Sequence, residues 1–143
     1  MKNERTRFSV LKKDSVQGFA RYIGLTAVSL TPGRFVTRLK LTENHLQPDG
    51  FAHAGLIATM ADHTAGFASY SVIPEHYHLL TVQFNVNYLR PGIGPVLECR
   101  AQVVKPGKRI VYTEAEVYSV DGRTRTLVAR AAHTGASVPG QKA

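Results

Sequence analysis

Four dipeptides with turn chemistry, Pro32-Gly33, Pro91-Gly92, Pro106-Gly107 and Asp121-Gly122, each separate two runs of apolar-patterned sequence. This punctuation constrains the fold more than any other feature, because strands joined by such short links are antiparallel neighbours. The runs between the turns alternate. From Leu79 to Arg90, Leu80, Val82, Phe84, Val86 and Tyr88 are expected on one face and Thr81, Gln83, Asn85 and Asn87 on the other. In the next run Leu97, Cys99, Ala101 and Val103 oppose Glu98, Arg100 and Gln102. After "KPGKR", Val111, Ala115 and Val117 oppose Glu114 and Glu116; after "VDGRT", Leu127, Ala129 and Ala131 form another inward row, with Val128 out of step. Upstream, Phe35, Thr37, Leu39 and Leu41 face away from Arg34, Arg38 and Lys40, and Tyr22 to Leu30 reads as a first strand.

An antiparallel sheet with one apolar face needs a cover. The only long helical candidate spans about residues 53–71, where Leu56, Ile57, Met60, Ala61, Ala65, Phe67 and Ala68 leave little polar surface. The expected architecture is therefore α+β: a curved antiparallel sheet wrapped around one central, buried helix. The 143 residues suit a single domain with its core over about residues 20–137, and a short flanking helix is expected within 7–20.

That central helix carries an aspartate, Asp62, in its middle and a histidine, His53, at its start. A buried carboxylate is costly without a partner. Free N–H groups at a helix start attract anions and stabilise a developing oxyanion, so a carbonyl held there with a carboxylate in reach is equipped for acyl transfer or hydrolysis. Nine residues separate His53 from Asp62. At about 100° and 1.5 Å per residue they lie on opposite faces, about 13 Å apart. Asp62 is thus expected to serve a carbonyl held by a second copy of the helix, across the axis of a symmetric dimer.

The run Gln47, Gly50, His53-Ala54-Gly55, Asp62, followed by "LTVQFNVNYLRP" and "VVKPGKRIVYTEAEVY", resembles the hotdog-fold acyl-CoA thioesterases, specifically the branch like the phenylacetate-pathway thioesterases. The resemblance covers roughly residues 35 to 137 and keeps that family's His-to-Asp spacing. It implies a hotdog fold working as a dimer or dimer of dimers on an acyl-CoA substrate, with no cofactor and no metal. Carried over, Asp62 is the general base or nucleophile, and the Ala54 N–H polarises the thioester carbonyl. His53 and Gln47 orient groups near the thioester, Thr81 helps position the attacking water, and Gly55 lies against the substrate. Two positions depart from the family pattern: Ala54 replaces a glycine and brings a methyl near the carbonyl, and Gln47 replaces an asparagine one methylene shorter.

The formal charge of +8 favours a polyanionic partner. Under the thioesterase reading that partner is the phosphate-bearing head of coenzyme A. Arg90, Lys105, Lys108 and Arg109, at strand ends and turns, are its candidate contacts, with Arg123 and Arg125 behind them. Nucleic acid is not expected, since the chain shows no recognition helix and its aromatics fall at inward-facing strand positions. A hotdog dehydratase using Asp49 and His53 would leave Asp62 without a purpose; a non-catalytic acyl-CoA-binding protein would make the Ala54 and Gln47 replacements losses of function. His76-x-His78 beside Glu75 lacks a third metal ligand, and no Ser-His-Asp or phosphate-loop motif is visible. Cys99 reads as a core residue, His63 as a packing residue, and His133 as a satisfied histidine on the last strand's inward row. No secretory signal or membrane span is visible, so a cytoplasmic location is expected.

Overall fold

The computed structural model describes residues 2–140. Helices α1 (Lys2–Asp14) and α2 (Gly18–Tyr22) lead into strands β1 (Leu25–Thr31) and β2 (Arg34–Lys40), a 3-10 turn (Glu43–His45) and the central helix α3 (Ala54–Tyr70). Strands β3 (Tyr77–Tyr88), β4 (Val96–Lys105), β5 (Ile110–Asp121) and β6 (Thr124–Pro139) follow. All six strands form one antiparallel sheet in the order β1-β2-β4-β5-β6-β3. This is the antiparallel sheet around one central helix expected from the strand punctuation and the single long helix, and it is the hotdog fold that the resemblance implies.

The helix α3 lies on the sheet's apolar face. Its Leu56, Ile57, Met60, Ala61, Ala65 and Ala68 pack against Phe35, Leu39, Leu97, Cys99, Ala115, Val117 and Ala129. Small alanines let the helix approach the sheet closely, and two hydroxyl pairs fix its position. Thr64 Oγ1 donates to the Met60 carbonyl, so its 2.8 Å contact with Thr37 Oγ1 uses the Thr37 proton. Ser69 donates to the Ala65 carbonyl and accepts from Thr113 at 2.8 Å in the same way.

Three expectations about the elements are corrected. The first strand begins at Leu25, and Tyr22 ends a short helix. The flanking helix is longer than expected and begins at Lys2; Arg7 anchors it by donating to the Tyr70 and Ile73 carbonyls, at the end of α3 where a cation is favoured. His63 Nε2 reaches the Ser15 carbonyl at 2.7 Å and ties the same two helices together.

The third correction concerns strand faces. A register shift between Thr81 and Gln83 leaves Val82 as an extra residue in β3. The bulge reverses the alternation: Leu79 and Thr81 face the helix before it, and Phe84 and Val86 after it. Leu80 and Val82, expected inward, are 57% and 62% exposed. Asn85 and Asn87 lie on the outer face beside Arg100 and Arg130. A second bulge, at Val128, explains that residue's irregular place in its row: Val117 pairs with Ala129 and Tyr118 with Leu127, and Val128 is buried in place of Leu127.

The outer face holds one buried charge. Glu98 is 1% exposed and takes Arg38 on Oε2 at 2.7 Å, with Arg100 and Arg125 on Oε1 at 2.7 and 2.9 Å. Tyr118, expected inward, lies here under the Arg125 guanidinium, 5.5 Å from its carbon. Burial raises the Glu98 carboxyl pKa, but the hydrogen bonds from Arg100 and Arg38 and the nearby Arg100 and Arg125 charges outweigh it, and the net shift is downward. A lowered carboxylate stabilises the fold above the ordinary carboxylate range and loses that contribution as the pH falls through the lowered value. Replacing Glu98 with alanine is expected to cost about 2 kcal/mol, below the usual cost of breaking a buried pair because solvent screens the arginines. Thermal denaturation at several pH values checks this: the variant should melt lower at neutral pH, and the gap should close in acid.

Candidate active site

His53 is the N-cap of α3, with extended backbone (φ −61°, ψ 133°), and its Nδ1 accepts the Gly55 N–H at 2.9 Å. Accepting through Nδ1 leaves the proton of the neutral ring on Nε2. A Cβ at residue 55 would meet the ring at 3.1 Å, so glycine there gives the imidazole room to fold back. The Gly55 amide is thus taken by the cap. The Ala54 N–H differs. It is the first of the helix and has no intrahelical acceptor, and no hydrogen bond among the described residues uses it. Tyr88, at the end of β3, steadies this turn by donating to the Ala54 carbonyl at 2.7 Å.

Gln47 sits in a loop closed by the Leu46–Ala52 bridge, where its backbone N–H donates to the Phe51 carbonyl at 2.8 Å. Its side-chain Oε1 accepts the Asp49 N–H within the same loop. The side-chain oxygen is thus used locally to close a turn.

Asp62 lies on the side of α3 that faces β3. The sequence suggested a buried carboxylate; the side chain is 41% exposed, at the edge where β3 is the last strand of the sheet. Thr81, placed inward by the Val82 bulge, donates to Asp62 Oδ1 at 3.1 Å. His133 Nε2 lies 3.1 Å from Thr81 Oγ1 and 3.6 Å from Asp62 Oδ1. His133 is fully buried and its Nδ1 has no partner, so it is not the satisfied histidine expected from the sequence. Burial lowers its pKa, against the opposing pull of the Asp62 charge. The sequence did contain a signal for it: His133 is the one titratable residue in the inward row that runs through Ala129 and Ala131.

The two halves of the site stand apart within one chain. Eight residues separate Ala54 from Asp62, about 12 Å along the helix axis. The candidate phosphate contacts divide as well. Arg90 lies beside the start of α3, where Gly92 accepts the Ala52 N–H, and is tied to the Leu127 carbonyl at 3.1 Å. Lys105, Lys108 and Arg109 are exposed at the other end of the sheet, where Gly33 bonds both Val103 and Ser71. Arg125 is engaged by Glu98. Phe67 and Tyr70 line a cavity of about 910 Å³ between α1, the end of α3 and the start of β3, whereas Phe84 packs against the core. Among the described residues, no group of three His, Cys, Asp or Glu side chains comes together as metal ligands would, and no helix is long and apolar enough to cross a membrane.

The antiparallel sheet wrapped on one central helix places the chain in the class of hotdog-fold thioesterases. The chain belongs to the thioesterase superfamily, whose family model matches residues 49–126, a span holding Ala54, Asp62 and Thr81. It is a thioester hydrolase. Human acyl-coenzyme A thioesterase 13 is 29% identical over 120 residues, covering 82% of this chain and 84% of that protein. The crystal structure of a thioesterase family protein from Silicibacter pomeroyi superposes with a TM-score of 0.89 at 30% identity, covering 93% of this chain and 99% of that one. A Streptococcus mutans protein crystallised with acetyl-CoA is 26% identical with a TM-score of 0.73, covering 83% of this chain and 92% of that one.

Proposed function

We propose that the protein hydrolyses acyl-CoA thioesters at a site shared by two copies of the chain. The observation that carries this reading is the separation of the parts: an accessible carboxylate held on Oδ1 by Thr81, and an unused Ala54 N–H a dozen ångströms away on the same helix. A second copy brings a helix start to Asp62. β3 supports such pairing, as a twelve-residue edge strand with exposed Leu80 and Val82. The human relative's activity and the acetyl-CoA bound by the bacterial relative support a CoA ester as substrate.

In the proposed reaction the Ala54 N–H donates to the thioester carbonyl oxygen and stabilises the negative charge that develops there. Asp62 takes a proton from water as the water oxygen bonds to the carbonyl carbon; alternatively, its free oxygen attacks the carbon directly, and the mixed anhydride left after the thiolate departs is cleaved by water to the free acid and Asp62. The carbon–sulfur bond then breaks and coenzyme A departs as thiolate, a good leaving group. His53 caps the helix so that the Ala54 amide keeps its direction, and Arg90 stands near the entrance to that end.

A panel of acyl-CoA esters with short, medium, long and aromatic acyl groups, read by release of free thiol, tests the proposal. At least one ester should be turned over well above the uncatalysed rate; silence across the panel would refute the reading. The protein's own thiol does not disturb the assay, because burial pushes Cys99 up to about 12.

A further inference from the structure

We propose that His133 is a positioning residue for Asp62, acting through Thr81: the His133 Nε2–H donates to Thr81 Oγ1, and the Thr81 proton donates to Asp62 Oδ1. The role of Asp62 in thioester hydrolysis is taken from the reading above; the direction of the chain rests on geometry alone.

Thr81 Oγ1 has a single proton and lies 3.1 Å from both Asp62 Oδ1 and His133 Nε2. An ionised carboxylate only accepts, so it takes the hydroxyl proton, and the contact with Nε2 survives only if Nε2 carries the hydrogen. The neutral imidazole then has a bare Nδ1, the atom with no partner. The opposite tautomer would give the buried Nδ1–H no acceptor except its own residue's backbone, a contact that falls short of hydrogen-bond geometry. Two donors in series therefore point at one carboxylate oxygen and leave the other free for chemistry.

The backbone is shaped to hold this ring. Gly135 follows His133 on the same face, and a Cβ there would lie 3.0 Å from His133 Cε1 and 2.9 Å from Leu79 Cδ1. Across the sheet His133 pairs with Phe84 on one side and Thr113 on the other. Few other titratable groups face the chain. α3 contributes Asp62 and His63, the latter turned to Ser15; β3 has none from Leu79 to Asn87, and the inward rows of β5 and β4 bring only the buried Cys99.

Long-range nitrogen–proton NMR of imidazole-labelled protein reads the tautomer directly. The expected result is a neutral His133 with hydrogen on Nε2; hydrogen on Nδ1 overturns the proposal. Kinetics give a second readout. His133→Leu should lower kcat about tenfold with KM within twofold. Thr81→Val should do the same, Thr81→Ser should retain most activity, and His133→Gln, which still offers an N–H, should recover part of the loss. Combining His133→Leu with Thr81→Val should add little to either alone. Unchanged kcat in His133→Leu, or effects that multiply, would overturn the proposal. If His133→Leu does not fold, the exposed Thr81 pair and the tautomer decide the matter. An enzyme silent on every ester but showing the Nε2 tautomer would refute the assigned activity and leave the hydrogen-bond chain standing.

Discussion

Replacing Asp62 with asparagine is expected to lower kcat for thioester hydrolysis by about a thousandfold, the middle of the range for loss of a general base. Asparagine keeps the size of the side chain and its oxygen still accepts from Thr81, so the fold and the hydroxyl contact survive. What goes is the negative charge and, with it, the ability to take a proton from water or to form a mixed anhydride. Under the proposed reaction ester binding should change little, since there the carboxylate would act on the reacting atoms and not on the nucleotide. Single-turnover rates and dissociation constants on the same ester separate the two effects. Equal turnover by both proteins would remove Asp62 from the reaction.

Replacing Ala54 with proline is expected to cost about a hundredfold in kcat at almost constant stability. Proline deletes the one amide hydrogen at issue, and the first helical position tolerates proline because its N–H has no intrahelical acceptor. The preceding residue, His53, already has the extended conformation that proline demands of its neighbour. The substitution is thus close to a single-atom change at the oxyanion position. Melting temperature controls for the fold. Mixed dimers of the Asp62→Asn and Ala54→Pro chains carry the sharper test. If each site draws on two chains, a mixed dimer holds one site with both parts intact and one with neither. Half the native activity per mixed dimer should then return. No recovery in proven mixed dimers would count against a site shared between two chains.

Much of this was legible before any coordinates. The turn dipeptides and alternation set the sheet, and the greasy stretch from Leu56 to Ala68 set the helix, because these signals depend on local backbone chemistry and on one apolar face. The spacing of His53 and Asp62 separated the two halves of the site by helical geometry alone. What was not legible depends on the third dimension. Asp62 reads as buried when its helix is taken alone, and is open at the edge where β3 ends the sheet. Gly55 matches a substrate-facing position in the family pattern, yet its amide is taken by a ring two residues back. Arg90 and Lys105 look alike in sequence and lie at opposite ends of the sheet. Alternation cannot announce a bulge, so Leu80 and Thr81 were assigned to the wrong faces. α1 was underestimated for a related reason: its charged composition gives little apolar periodicity, and it is held by Arg7 and His63 contacts to residues far along the chain.

The extra residue at Val82 has a consequence for how this enzyme can change. A regular strand would couple its two halves, so that turning Thr81 inward would turn Phe84 and Val86 out. With the irregularity between them, the segment ahead of it can vary its chemistry while the segment behind keeps its grip on the interior. Shortening the chain by that one residue would rotate the hydroxyl out to solvent and undo the active centre without touching a single reacting group.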